Sequence, residues 1–226
     1  TMAYRVGIIG CGGMGHIHAR SWQQRKDVDV VAAMDVSEEA TRRLSEEYGV
    51  PSIYADYETM LAREELEIVS IATWHGVRAA PTIAAAKSGV RAILVEKPMA
   101  VNTEEAVHLR RKALELDRAL HIGCTFRFSE GIEQFRNLLG QVGSLHFVRI
   151  ECLSYLPDWK PSREYRDTYS ARLKDGGVLR DLIHEVDYAG WLYGWPEAVQ
   201  ANVRNYGRLD IEADEAADLQ WETKLG

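Results

Sequence analysis

The sequence predicts an α/β fold: a doubly wound parallel sheet over residues 1–124, then an α+β domain over 125–226 whose sheet is mainly antiparallel, open and incomplete. Three observations carry this prediction. Short Val/Ile-rich runs alternate with amphipathic segments at the spacing of βαβ units through the first ~120 residues. The first run passes straight into Gly10-Cys11-Gly12-Gly13-Met14-Gly15, and an acid, Asp35, closes the second. After Thr125 the alternation gives way to an aromatic, charged stretch and scattered strand-like segments.

In order, apolar runs at 4–9, 28–34, 68–72, 92–95 and 120–123 read as strands. Their near-continuous hydrophobicity is that of a parallel sheet covered on both faces. Helical periodicity covers 14–25, 38–48, 77–88 and 103–116. Gly49 and Gly89 read as helix stops, and Asn102-Thr103 followed by Glu104 and Glu105 as a helix start. Beyond Thr125 we expect a helix over 130–139, Gly140 and Gly143 in a turn, and a strand over 144–151. A loop over 155–171 leads to a helix opened by Asp175-Gly176-Gly177 and running to about 193, and strands at 198–206 and 216–223 finish the chain. No helix follows the last strand, which leaves an exposed sheet edge of the kind proteins avoid. The expectation is a shortened chain, or a homo-oligomer that completes the C-terminal sheet. Thr1 before Met2 reads as a cloning remnant.

The composition narrows the function. The formal charge is −7, from 27 basic and 34 acidic residues, with no Lys/Arg block, which disfavours a nucleic-acid partner. No apolar run reaches membrane-spanning length and no signal-peptide pattern precedes the first strand, so no membrane partner is expected. Cys11, Cys124 and Cys152 are odd in number and form no CxxC pair, pointing to a reducing cytoplasm. His16 and His18 stand two apart on a helix start and point to different sides, so no metal site is expected there or elsewhere. Asp214, Glu215 and Asp218 read as a solvated strand edge.

Strand, glycine turn, helix, strand and acid in that order specify the Rossmann dinucleotide site. Gly10 permits the tight turn, Gly12 lets the backbone approach a pyrophosphate, and Gly15 lets the helix pack on the sheet with its N-terminal amides toward the phosphates. Cys11 reads as merely small. Asp35, 20 residues past Gly15, can accept hydrogen bonds from both ribose hydroxyls. A carboxylate there repels a 2′-phosphate, which favours NAD; Ser37, Arg42 and Arg43 nearby keep NADP as the alternative.

At Val95-Glu96-Lys97-Pro98 a lysine closes a parallel strand, where such folds bind ligands, with a glutamate before it as counter-charge. With the glycine turn, Asp35, Ala72-Thr73 and the later GGVLRDLIHEVD segment, the whole chain resembles the Gfo/Idh/MocA oxidoreductase family. The resemblance implies that Gly10, Cys11, Gly12, Gly13, Met14 and Gly15 hold the pyrophosphate and Asp35 the adenosine ribose. It implies that Thr73, Trp74 and His75 line the nicotinamide side, with Glu96 and Lys97 at the cofactor. Lys97 also meets the substrate hydroxyl, Arg127 lies near the substrate, and His184 binds the reacting oxygen. Two departures stand out. Many members read D-x-G-x-H, with the aspartate four before the histidine, whereas here Asp181 precedes His184 by three and Arg180 by four. Both spacings share a helix face, so Asp181 is expected to support the site. Family members also continue well beyond this length.

Oxidising an alcohol with NAD needs a hydride path, a base for the proton and positive charge near the developing alkoxide. Lys97 and His184 share those polar tasks, and the residues alone leave open which carries the proton. The aromatic stretch offers Tyr155, Trp159, Tyr165 and Arg166 for binding a sugar-like small molecule, with Tyr169, Asp158, Arg163 and Arg172 beside them. A subunit contact is the competing reading of that stretch. The leading expectation is an NAD(P)-dependent oxidoreductase acting on a secondary hydroxyl or carbonyl of a sugar, cyclitol or derivative. The alternative is a non-catalytic nucleotide-binding or assembly protein with an incomplete second domain. A Rossmann methyltransferase has no use for the Glu-Lys-Pro lysine.

Overall fold

Six strands build the first sheet: β1 (Tyr4–Ile9), β2 (Val28–Met34), β3 (Ser52–Tyr54), β4 (Ile68–Ile71), β5 (Ala92–Val95) and β6 (Ala119–Ile122). In this computed structural model, which describes residues 3–159, 161 and 163–223, they lie in the order β3-β2-β1-β4-β5-β6 and all pair in parallel. Thr1 and Met2 lie outside the described residues. Successive side chains explain the unbroken apolar runs. Ile9, Met34, Ile71 and Val95 pack on one face with Met60, Ala85 and Val90, while Ile8, Ala33 and Cys11 pack on the other with Ala19, Leu44 and Val50. A strand buried on both sides favours apolar residues at successive positions.

The helices are α1 (Gly13–Gln23), α2 (Glu38–Tyr48), α3 (Tyr57–Arg63), α4 (Ala79–Ser88) and α5 (Thr103–Glu115). Ser37, Asp56 and Asn102 cap α2, α3 and α5 by accepting from the Ala40, Thr59 and Glu105 amides. Gly49 and Gly89, at φ 64° and 98°, end α2 and α4 in the left-handed conformation. The reading of 49–67 anticipated no element, yet β3 and α3 lie there. A three-residue strand is too short to show a period, and the Asp56 cap was its one local signal. The strand order reverses direction between β1 and β4, which opens a crevice beyond their C-terminal ends.

The chain divides into two units, Thr1–Gly123 and Cys124–Gly226. The second contains α6 (Glu130–Leu138), α7 (Val178–Asp181), α8 (Ile183–Tyr193), and an antiparallel hairpin of β7 (Gln200–Arg204) and β8 (Ala216–Gln220). Three expectations need correction. The strand expected over 144–151 does not form, with no ladder partner among the described residues, and residues 145–153 instead line a cleft of about 1190 Å³ with Val178, Leu182, Val186 and residues of β8. The helix expected from Asp175 to about 193 is two helices, broken at Leu182 (φ −99°, ψ 33°). The carboxylates read as a solvated edge are partly structural. Asp214 accepts from the Leu179 amide at the start of α7, and Glu215 accepts from the Tyr206, Arg208 and Leu209 amides, closing the loop before β8. No helix among the described residues is long and apolar enough to cross a membrane.

Candidate functional site

The glycine turn follows β1 at the crevice. Gly10 adopts φ 97°, and a Cβ there would lie 2.8 Å from the Thr73 amide nitrogen, so only glycine fits. At Gly15 a Cβ would fall 2.1 Å from the Gly10 carbonyl oxygen, which is why α1 can sit against the turn. Gly12 differs: it is extended at φ −75°, and a Cβ would meet nothing within 4 Å. The space beside it is open. Unlike α2, α3 and α5, α1 has no side-chain cap and no acid in its first turn. Its leading amides and dipole therefore face that space undiminished, an arrangement made for an anion.

Asp35 stands at the end of β2. Its Oδ2 accepts from the Cys11 amide at 2.7 Å and its Oδ1 from the Ser37 amide at 3.0 Å. The carboxylate thus ties the glycine turn to α2, and each oxygen keeps a lone pair for a ribose hydroxyl. Cys11 is fully buried and donates its thiol to the Met34 carbonyl. Burial, with the Asp35 charge added, pushes that thiol up to about 12, so the side chain is inert and only its backbone serves the turn. Of the two helix-start histidines, His16 reaches Glu47 at 2.9 Å and His18 turns into the core, as the opposite-sides reading expected.

The ends of β4 and β5 lie side by side. After β4, the Thr73 hydroxyl oxygen is buried with no hydrogen-bond partner in the protein, a waiting donor or acceptor for a polar ligand group. Trp74 is 38% exposed, while His75 is 2% exposed and lies beneath the turn with its ring edge-on to Trp74, so it underpins the wall rather than facing it. After β5, Glu96 also turns inward. Its Oε1 lies 2.9 Å from His18 Nε2 and its Oε2 accepts from the Lys97 amide at 3.2 Å. Burial alone would raise its carboxyl, but His18, Arg78 and the Lys97 amide outweigh it and hold the group below its ordinary value. The buried Arg78 guanidinium donates to the Thr73, Glu96 and Pro98 carbonyls, pinning both turns. Lys97, partly buried, leaves the backbone between two pinned residues.

In the second unit, His184 opens α8 with its ring stacked on Phe126 at 4.8 Å and 27°. Asp181 belongs to α7, across the Leu182 break, so the shared-face argument for it does not hold. Arg127 makes a bidentate pair with Asp187 of α8, at 2.8 and 2.6 Å, and lies over the Trp191 ring. That pair lifts the guanidinium further above its ordinary value, chiefly through the Asp187 hydrogen bonds, and anchors Arg127 to the helix. The aromatic stretch forms three short 3₁₀ turns. Tyr165 donates its hydroxyl to the Leu209 carbonyl, and Arg166 stacks on Tyr165 while pairing with Glu164 and Asp210. Tyr155 is exposed, and so is Trp159, which donates to the Ser154 hydroxyl.

Family models of two consecutive domains match the chain: the oxidoreductase family's NAD-binding Rossmann fold over residues 4–124 and the GFO/IDH/MocA C-terminal domain over 138–226. The chain belongs to the GFO/IDH/MocA oxidoreductase family. Its relatives in the family include D-glucoside 3-dehydrogenase of Escherichia coli (strain K12), 25% identical over 224 residues, covering 96% of this chain and 62% of the relative. Myo-inositol 2-dehydrogenase of Thermotoga maritima is 26% identical over 218 residues, covering 95% and 62%. The chain thus spans about three-fifths of these relatives' length. A solved family structure, scyllo-inositol dehydrogenase from Lactobacillus casei with bound NAD(H) and scyllo-inositol, superposes with a TM-score of 0.84 at 22% identity, over 97% of this chain and 66% of that one.

Sequence reasoning missed His18, Ser70 and Arg78 within this GFO/IDH/MocA chain. A signal for His18 was present: Gly15, His18 and Ala19 share the buried face of α1, so a glycine that packs on the sheet takes the histidine three residues on with it. Ser70 is a polar residue inside an otherwise apolar strand, which marks it in retrospect. Arg78 carried no local signal.

Proposed function

We propose that the chain is an NAD-dependent dehydrogenase acting on a secondary hydroxyl or carbonyl of a sugar, cyclitol or related polyol. The observation that carries this reading is the open, uncapped cradle at Gly12, with Asp35 at one side and the Thr73 and Lys97 turns at the other. When bound, NAD accepts or returns the hydride at its nicotinamide ring. The amides from Gly12 to Gly15 hold the pyrophosphate, and Asp35 accepts from the adenosine ribose. Thr73 Oγ1 takes a polar group of the nicotinamide end. Lys97 orients the substrate oxygen and stabilises negative charge on it. The named activities of the relatives, on glucoside and inositol hydroxyls, support this substrate class.

NAD is preferred to NADP because Asp35 is held in place by two backbone amides. A 2′-phosphate at ~6 Å from a fixed carboxylate costs roughly 2–3 kcal/mol at an effective dielectric of about 20, on the order of 100-fold in affinity. Arg42, one of the two arginines named as able to relieve it, is paired with Glu38 at 2.8 Å. Fluorescence titration with NADH and NADPH, beside a spectrophotometric screen of inositols and glucosides with NAD, tests the proposal. We expect NADH to bind at least tenfold more tightly and one polyol to turn over. Absence of binding by either nucleotide overturns the reading.

A further inference from the structure

Three buried polar side chains lie directly behind Lys97. Ser70 in β4 is fully buried, His18 in α1 is 7% exposed and Glu96 after β5 is 6% exposed. Ser70 Oγ is 2.6 Å from His18 Nδ1, and His18 Nε2 is 2.9 Å from Glu96 Oε1. The second Glu96 oxygen receives the Lys97 amide. An ionised carboxylate can only accept, so Nε2 carries the imidazole proton and donates it to Glu96. Nδ1 is hydrogen-bonded to the Ser70 hydroxyl, which can serve as donor or acceptor. The Arg78 guanidinium grips the Glu96 carbonyl from the other side.

Three polar groups sealed in a core gain little stability over apolar ones of the same shape. What they supply is direction. Both Glu96 oxygens are committed, so this side chain cannot swing, and the backbone from which Lys97 departs is fixed to α1 and β4 at once. Gly123 of the strand-end turn after β6 leaves the room required: a Cβ there would press to 3.1 Å of Glu96 Oε1.

We propose that His18 is a positioning residue for Lys97, acting through the Ser70–His18–Glu96 chain to set where the lysine ammonium meets the substrate oxygen; this rests on the role assigned to Lys97 above. His18 is buried and both its ring nitrogens are bonded to protein groups, so its effect runs through Glu96. Displacing the lysine by as little as an ångström lowers the rate of the chemical step while leaving nucleotide binding alone.

The test uses the full chain with His18→Leu, His18→Gln and Ser70→Ala. Two quantities are read: steady-state kinetics on whichever polyol the screen identifies, and hydrogen exchange of the Lys97 amide by NMR. In His18→Leu we expect kcat to fall roughly 10- to 100-fold with KM for NAD within about twofold, and the Lys97 amide to exchange about tenfold faster. His18→Gln, whose side-chain amide can still donate to Glu96, restores most of both. Ser70→Ala shows the same changes at smaller size, and decides the matter if His18→Leu does not fold. Unchanged kcat and unchanged Lys97 exchange in the folded variants overturn the proposal. A wild-type chain that turns over no polyol removes the dehydrogenase reading instead, and the exchange data still decide whether His18 holds the lysine turn.

Discussion

Gly12 and Gly15 stand three residues apart in the same turn, yet their substitution by alanine should do opposite things. At Gly15 the new Cβ would fall 2.1 Å from the Gly10 carbonyl oxygen and 3.0 Å from its carbon, both rigid backbone. Helix α1 must retreat by about 1 Å, an overpacking cost of roughly 1–3 kcal/mol, offset in part by about 1 kcal/mol of improved helix propensity. For a chain of this size the net loss, up to about 2 kcal/mol, lowers Tm by up to about 8 °C. At Gly12 the backbone is already extended and nothing lies within 4 Å, so the methyl group enters empty space. Only a helix-cap preference of about 0.5–1 kcal/mol is lost. That space is the proposed seat of the pyrophosphate. Pushing the phosphate off two amides forfeits about 1.5–3 kcal/mol for each hydrogen bond to a charged group, so NADH affinity should fall at least about 100-fold. Thermal unfolding and fluorescence titration of the two variants separate the effects. A Gly12→Ala chain that binds NADH within about threefold of wild type would refute the assignment of the cradle.

Other consequences follow from the buried groups. The folded Glu96 carboxyl titrates below its ordinary 4.5, so its stabilising effect is complete above that value and disappears as the pH falls through the folded value. Urea unfolding should show wild type more stable than Glu96→Gln by about 1–3 kcal/mol at pH 7, with the gap closing below about pH 4.5; a gap that stays constant into acid contradicts the buried carboxylate. Among the cysteines, exposed Cys152 should react with iodoacetamide in the native protein and buried Cys11 only after unfolding. Native labelling of Cys11, detected by peptide mass, would contradict the closed packing behind the glycine turn.

The parallel half of the fold was legible because each cause was local. Strands buried on both faces appear as largely apolar runs, Gly10 is demanded by its own positive φ and Gly15 by the Gly10 carbonyl in the same turn, and Asn102 caps α5 three residues on. The second unit hid its causes at long range. Residues 144–151 are rich in Leu, Phe, Val and Ile as a strand is, but a strand needs a hydrogen-bonded neighbour, and composition does not supply one. Asp214 looked solvated because the amide it receives, that of Leu179, lies 35 residues away. Leu182 interrupts the helix without a proline or glycine to announce it. Arg127 was legible as a functional cation, yet Asp187, its partner, lies 60 residues along the chain. The candidate site divides the same way: the glycine turn, Asp35 and Lys97 could be read directly, while the side chains that hold the Lys97 turn come from α1, β4 and the residue before α4.

The central claim is that the turn after β5 does chemistry on a substrate presented to NAD held by the turn after β1. Lys97→Ala, assayed for NADH affinity and for polyol-dependent NADH formation in the same preparation, tests it most directly. The account predicts NADH affinity within about threefold of wild type and kcat reduced at least about 1,000-fold. Turnover near the wild-type rate in that variant would contradict it.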